Sequence, residues 1–320
     1  MQNFNGDFEE LARLMKWSWR DNREQPLEYP QPFLESCFRQ PQASLDFAPA
    51  IYQDGALVAI GAAFPRTVRY ENADLLLLLE SFLTVAPTHR GKGLSSRIRT
   101  EIKTRAREQG LDGVFGFCVE GDRMNQVMEA FVPAPGQRSR CLCSIRFLAL
   151  PLPDRTQVEH RPHVGPYELA KPDTFEQCAK DVLPHSDFAR LWTTDAAHWQ
   201  CSERYRAFGV SVSCAHGNGA LTAYRMSSAG DPENMCGLIE DVLWQHLEQP
   251  QRAQLITKFL DLARANGVKL LLCPLLAYAD LTAFHHAGFR RTRRSLNLYL
   301  TTWRDDLELR PVTAPYIDVT

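Results

Sequence analysis

The chain has 320 residues, with 36 lysines and arginines against 38 aspartates and glutamates and an apolar fraction of 44%. That composition excludes a disordered chain and a nucleic-acid binder that works through a global positive field, and it leaves room for one large domain or two ordinary ones. The longest apolar run, Leu75 to Leu79 between Asp74 and Glu80, is far too short to cross a bilayer.

In chain order, Asp7 and Glu10 have capping-box spacing, and Phe8, Leu11 and Met15 share one face, which predicts a first helix. The acids of this opening stand where a signal peptide would need a basic end and an apolar run, so a cytoplasmic protein is expected. An aromatic, proline-rich stretch with Trp17, Trp19 and Tyr29 follows. Residues 48–70 read as two antiparallel strands joined at Asp54-Gly55, and the leucine run, extended to Val85, reads as a buried strand. From Leu94 the apolar positions Leu94, Ile98, Ile102 and Ala106 recur every four residues, an amphipathic helix that ends at Gly110. "GVFGFCV" is the next strand, residues 124–131 a short helix stopped by Pro133 and Pro135, and "RCLCSIRFLAL" a closing strand.

Residues 151–166 hold four prolines and read as a linker between a first domain, 1–150, and a second, 167–310, with a tail at 311–320. The second half repeats the order of the first. "LDLARANGVKLLLCP" matches "IKTRAREQGLDGVFGFC", and "GLIEDVLWQ" stands where "LLLESFLTV" stood, which sets Glu240 opposite Glu80. His285-His286 and "RRTRR" at 290–294 read as surface features. The fold class expected is α/β with a mixed sheet in each of two similar domains. Nine cysteines show no C-x-x-C pair and no histidine at zinc-ligand spacing, so they read as reduced, mostly buried thiols with no metal; Cys118, near the end of a central strand, is the one considered as a nucleophile.

The stretch with the clearest chemistry is "LTVAPTHRGKGLS". A strand that turns into a helix presents free N–H groups at the positive end of the helix dipole, which suits a diphosphate. Gly91 and Gly93 let the backbone come close, and Arg90 and Lys92 add charge. A Walker loop is excluded because Ala86 stands six before Lys92, and a dinucleotide fingerprint because Ser96 replaces its third glycine.

This stretch resembles the signature of the GNAT superfamily of acyl-CoA-dependent N-acetyltransferases: Leu-x-Val-x-Pro at Leu83 to Pro87, then Arg90-Gly91-Lys92-Gly93-Leu94-Ser95, with serine where glycine or alanine is usual. The resemblance extends to Asn125, at the place of an asparagine that meets the pantetheine arm, but Val132 occupies the place of the tyrosine that often protonates the departing thiolate. It implies two tandem GNAT-like domains, each a mostly antiparallel mixed sheet flanked by helices. It implies acetyl-CoA or another acyl-CoA bound by Leu83, Thr84 and Val85 and by the loop from Arg90 through Gly91, Lys92, Gly93 and Leu94 to Ser95, with Asn125. The second half has no Arg-Gly-x-Gly between Leu247 and Gln254, so one cofactor site per chain follows.

The reaction implied is attack of an amine on a thioester. Glu80, an acid in an apolar strand, is the candidate base, since the resemblance places catalytic glutamates on this strand. Glu80 could instead face outward or pair with an arginine. Glu120 and Asp122, with Trp19 and Tyr29, are the candidate acceptor-binding residues. The acceptor expected is a small-molecule amine, with no nucleic-acid or membrane partner, in a monomer with pseudo-dimeric domains or a homodimer. A peptide amine, a carrier-protein thioester donor, and a non-catalytic acyl-CoA-binding scaffold stay open as alternatives.

Overall fold

The computed structural model describes residues 1–19, 27–152, 167–215, 217–228 and 231–318. They form two compact units, one of residues 1–144 with 295–312 and one of residues 145–294 with 313–318. The first runs through β1 (Gln2–Asn3), α1 (Phe8–Trp19), α2 (Gln31–Phe38), β2 (Pro49–Gln53), β3 (Ala56–Tyr70), β4 (Ala73–Val85), α3 (Leu94–Glu108), β5 (Gly113–Val119), α4 (Arg123–Glu129) and the start of β6 (Arg138–Pro151).

Local chemistry explains most of these elements. The β2–β3 hairpin turns on Asp54 (φ 51°) and Gly55 (φ 81°), the two left-handed residues that a two-residue turn of this kind needs. At the start of α1 the Asp7 carboxylate accepts the Glu10 N–H at 2.8 Å, but Glu10 does not return the bond: its carboxylate accepts the N–H of Leu57 at 2.8 Å. The capping-box spacing thus becomes a tie between the helix and β3. Helix α3 buries Leu94, Ile98, Ile102 and Ala106 on Ala59, Ala63, Leu78 and Val114, as the four-residue spacing predicts. Each large aliphatic side chain so buried contributes about 1.5–3 kcal/mol.

The sheet of this unit runs β1-β2-β3-β4-β5 and is antiparallel except for the parallel β4–β5 pair. Its closing strand comes from the far end of the chain. Residues 296–302 run antiparallel to β5, from Leu296 opposite Val119 to Thr302 opposite Gly113.

The second unit repeats this plan with β7 (Tyr167–Leu169), α5 (Pro172–Val182), β8 (Phe188–Arg190), α6 (Thr194–His198), β9 (Ala207–Cys214), β10 (Gly217–Ser228), β11 (Asp231–Leu243), α7 (Gln249–Ala265), β12 (Val268–Pro274), α8 (Thr282–His286), β13 (Arg290–Thr302, whose residues from Ser295 close the first unit) and β14 (Pro315–Tyr316). β11 and β12 are parallel like β4 and β5, and β12 is closed by residues 147–151 of β6. Each unit therefore takes its closing strand from the other half of the sequence.

This exchange changes the domain boundaries. The division falls within β6 rather than at 151–166, and residues 295–312 belong with the first unit. Most of the expected linker, residues 153–166, lies outside the described residues. The expected tail is built in. Asp187 accepts the N–H groups of Thr313 and Ala314 at 2.7 and 2.9 Å, and Arg190 pairs with Asp318 at 2.8 Å in the interior. Among the described residues no helix is long and apolar enough to cross a membrane.

Candidate acyl-transfer site

Strand β4 pairs with β5 from Leu77–Gly113 to Glu80–Gly116 and no further, although β4 continues to Val85 and β5 to Val119. The two strands part, and the β5-facing edge of β4 beyond Glu80 has no strand beside it. At the fork β4 also bulges. Ile60 faces Thr84 and Ala62 faces Ser81, so Gly61 alone answers both Phe82 and Leu83. Phe82 sits at φ 55°, with its carbonyl accepting the Thr84 hydroxyl at 3.1 Å and its ring among Tyr29, Phe33 and Phe64, at centroid distances of 5.9, 6.3 and 6.0 Å. A left-handed phenylalanine costs on the order of 1 kcal/mol or more and needs such a clamp.

Past Val85 the chain enters the Arg90–Ser95 loop. Gly91 and Gly93 have φ 78° and 72°, and a Cβ on either would meet nothing within 4 Å, so the demand for glycine is conformational. The first helical bond of α3 runs from the Arg97 N–H to the Gly93 carbonyl at 3.1 Å, which leaves the N–H groups of Leu94, Ser95 and Ser96 without an intrahelical acceptor. Lys92 is exposed; the Arg90 guanidinium is turned back to donate to the Ser18 carbonyl at the end of α1. The loop can present N–H donors, the exposed Lys92 ammonium and the dipole of a 15-residue helix to a diphosphate.

The floor of the fork is polar. Glu80, the last paired residue of β4, receives Arg99 of α3: Nη2 lies 3.0 Å and Nε 3.2 Å from Oε2, with side chains only 15% and 12% exposed. Glu80 Oε1 is buried and has no hydrogen-bond partner among the described residues. Of the two alternatives to a base, pairing with an arginine is what the structure shows. The charge of Glu80 pushes the Arg99 guanidinium above its ordinary range. Opposite Glu80, a Cβ on Gly116 would lie in ordinary contact with Glu80, 3.4 Å from its Cβ. Next along the same row stands Tyr299, paired with Gly116.

Residues 4–123 match the family model described as the acetyltransferase (GNAT) domain. Over this segment the chain resembles a GNAT domain. Among solved structures, Saccharomyces cerevisiae N-myristoyltransferase with bound myristoyl-CoA superimposes with a TM-score of 0.70 at 14% identity over 99% of this chain and 83% of that one. A second crystal structure of that enzyme, with myristoyl-CoA and inhibitors, gives 0.70 at 15% identity, over 99% and 80%. At such identities the likeness shows the fold, and it spans both units. No curated sequence matches the chain.

Several expected site residues of the first unit have structural duties. Asn125 is buried and well held: its Oδ1 accepts from Asn297 Nδ2 at 2.8 Å and the Tyr299 hydroxyl at 3.0 Å, while its Nδ2 donates to Glu129 at 2.7 Å. Asp122 caps α4 by accepting the Asn125 N–H at 2.6 Å, and Glu120 accepts the Ser295 hydroxyl. Trp19 and Tyr29 meet edge to face at 5.2 Å and join the aromatic cluster around Phe82. Val132 is 83% exposed. Cys118 is buried and its thiol is pushed up to about 12, first by burial, so it stays protonated at neutral pH and is no nucleophile. No group of His, Cys, Asp and Glu among the described residues could hold a metal ion.

The second unit keeps the fork and the bulge but not the loop. β11 pairs with β12 as far as Leu238–Leu272, and Glu240 is the extra residue of the bulge between Ile239 and Asp241. Counted from the last parallel pair, Glu240 stands where Phe82 stands, and Leu238 is the counterpart of Glu80. The sequence alignment of Glu240 with Glu80 is thus two residues out of register. The start of α7 is closed by a capping box: the Glu248 side chain takes the Gln251 N–H, and Gln251 Oε1 accepts the Glu248 N–H at 2.7 Å. A carboxylate fills the place where α3 has open donors.

The bulge turns Glu240 and Asp241 to one side, and Gln200 donates to both, at 3.1 and 2.8 Å. Arg204 pairs with Glu240, and the hydroxyls of Thr222 and Tyr316 donate to Asp241. Burial, then the Glu240 charge, pushes the Asp241 carboxyl up to about 6. An unfolded aspartate titrates near 3.9, so between roughly pH 4 and 6 the folded state holds a proton that the unfolded state has released. This group's stability contribution therefore falls as pH rises through that window, by about 2–3 kcal/mol. Wild type is expected to lose melting temperature from pH 4.5 to 6.5 relative to Asp241→Asn, measured by calorimetry. Parallel profiles for the two proteins would contradict it.

Proposed function

We propose that the chain is an acyl-CoA-dependent N-acyltransferase with one acyl-CoA site, in the first unit. The observation that carries this is the start of α3: three N–H groups without an intrahelical acceptor behind two left-handed glycines, directly beyond a strand pair that opens at Glu80–Gly116. The diphosphate is bound by these donors and Lys92, and the pantetheine arm lies along the unpaired edge of β4 at Leu83 to Val85. Both lone pairs of Asn125 Oδ1 are taken by Asn297 and Tyr299, so any bond from Asn125 to the arm comes from Nδ2.

The neutral amine attacks the thioester carbonyl carbon, the C–N bond forms, and the C–S bond breaks with release of the thiolate. Glu80 takes the proton that the amine sheds. Arg99 fixes Oε2 and leaves Oε1 as the accepting atom. Such a base contributes about 10²–10⁴-fold in rate.

The acceptor proposed first is the amine of a small metabolite and the donor acetyl-CoA. Likeness to an N-myristoyltransferase over 99% of the chain favours a second reading, a peptide amine with a longer acyl donor. Free-thiol release from acetyl-, octanoyl- and myristoyl-CoA, against small amines and glycine-ended peptides, separates the two. Thiol release with none of these, despite acyl-CoA binding, would leave a scaffold. Glu80→Gln is expected to lower kcat by about 10²-fold or more while acyl-CoA affinity is kept; full activity from pH 6 to 9 would remove Glu80 as the base.

A further inference from the structure

We propose that Lys103 is a self-acylation site, its Nζ taking the acyl group from bound acyl-CoA when no acceptor amine is present. The inference rests on the acyl-CoA reading of the fork. Lys103 is one helical turn beyond Arg99 on α3, only 7% exposed, and the one lysine in the interior of the described residues. It has no carboxylate of its own, because Glu80, the acid that faces it from β4, is already held by Arg99. Its Nζ lies instead over the ring of Phe131, 4.1 Å from the centroid, just after α4. Lys16 and Lys180, by contrast, are exposed and paired with Glu28 and Glu176.

Three features of this position favour acylation. The groups around Nζ are Glu80 from β4, Arg99 from α3 itself and Phe131 beyond α4, so one carboxylate serves two cations. Burial, partly offset by Glu80, pulls the ammonium down to about 8, and at pH 8 about half of it is the nucleophilic amine, against roughly one part in 300 for an ordinary lysine. Glu80 is the last paired residue at the fork, so an acyl arm that follows the free edge of β4 inward ends beside the lysine's neighbour. Held there, the thioester meets the amine intramolecularly, where effective concentrations are high.

The step balances without a further reactant. The Nζ lone pair attacks the carbonyl carbon, the C–N bond forms, the C–S bond breaks, and the thiolate takes up the proton shed by nitrogen. The products are an amide on Lys103 and free CoA, and the unmatched buried cation is gone.

The full chain, incubated at pH 8 with acetyl-CoA or myristoyl-CoA and no amine, is then digested and read by mass spectrometry. One acyl group per chain is expected on Lys103, at a rate independent of protein concentration and rising with pH to a plateau above 8. Lys103→Arg should take up none there, with Lys103→Met as a second variant if the first fails to fold. An unmodified Lys103 in a preparation that releases thiol to an acceptor would overturn the inference and leave the transferase reading standing. Equal labelling of exposed lysines would overturn it as well. A protein that binds no acyl-CoA would remove both.

Discussion

Residues 1–152, made without the rest of the chain, are expected not to fold, and residues 153–320 made alone are expected to fail likewise. The first fragment lacks the strand that closes β5, with Leu298 and Leu300 fully buried and Tyr299 nearly so. It also loses the bond from the Trp303 indole to the Leu111 carbonyl at 2.6 Å and that from the Tyr70 hydroxyl to the Arg310 carbonyl at 2.8 Å. Three large side chains at about 1.5–3 kcal/mol each amount to roughly 5–9 kcal/mol, as much as the whole stability of many domains. The second fragment lacks Phe147 and Leu148, which pair with Pro274 and Cys273 of β12. Near-UV circular dichroism and urea unfolding of each fragment, alone and co-expressed, check this. No cooperative transition is expected from either alone and one is expected from the pair; a cooperative, native-like fragment 1–152 would contradict it.

Gly93→Glu is expected to lower acyl-CoA affinity by 10²-fold or more and to change stability little. Gly93 is left-handed at φ 72° and a Cβ there has open space, so backbone strain destabilises the folded state by about 1 kcal/mol and no packing is lost. The new carboxylate stands at the cap of α3 and competes for the N–H groups proposed to bind the diphosphate, making the start of α3 like that of α7, where Glu248 already caps the helix. Gly93→Ala carries the strain without the charge and should keep most of the affinity. Calorimetric titration with acetyl-CoA, beside thermal melts of the three proteins, separates charge from strain. Equal losses in the alanine and glutamate variants would mean that only the backbone conformation matters.

The parts of the fold legible in the sequence are those set by neighbouring residues. The Asp54-Gly55 turn, the four-residue stripe of α3 and the strand–glycine loop–helix order each follow from spacing alone. The exchange of closing strands does not, because β6 and β13 are equivalent strands of two similar halves and either one satisfies the local pattern of either unit. Side-chain duties were hidden for the same reason. Glu80 meets Arg99 across a strand and a helix, and Asn125 meets Asn297 and Tyr299 from the far end of the chain. Lys103 lies outside the four-residue apolar stripe of α3, so nothing in the spacing marks it as buried. The two-residue offset between Glu240 and Glu80 is invisible to an apolar pattern, since a strand displaced by two keeps the same residues on each face.

One site per chain, at the start of α3 and nowhere else, is the centre of this account. Isothermal titration of the full chain with acetyl-CoA and with myristoyl-CoA tests it most directly. The expected result is a stoichiometry of one, abolished by Gly93→Glu and unchanged by Glu248→Ala. Two sites per chain, or binding that survives Gly93→Glu undiminished, would contradict it.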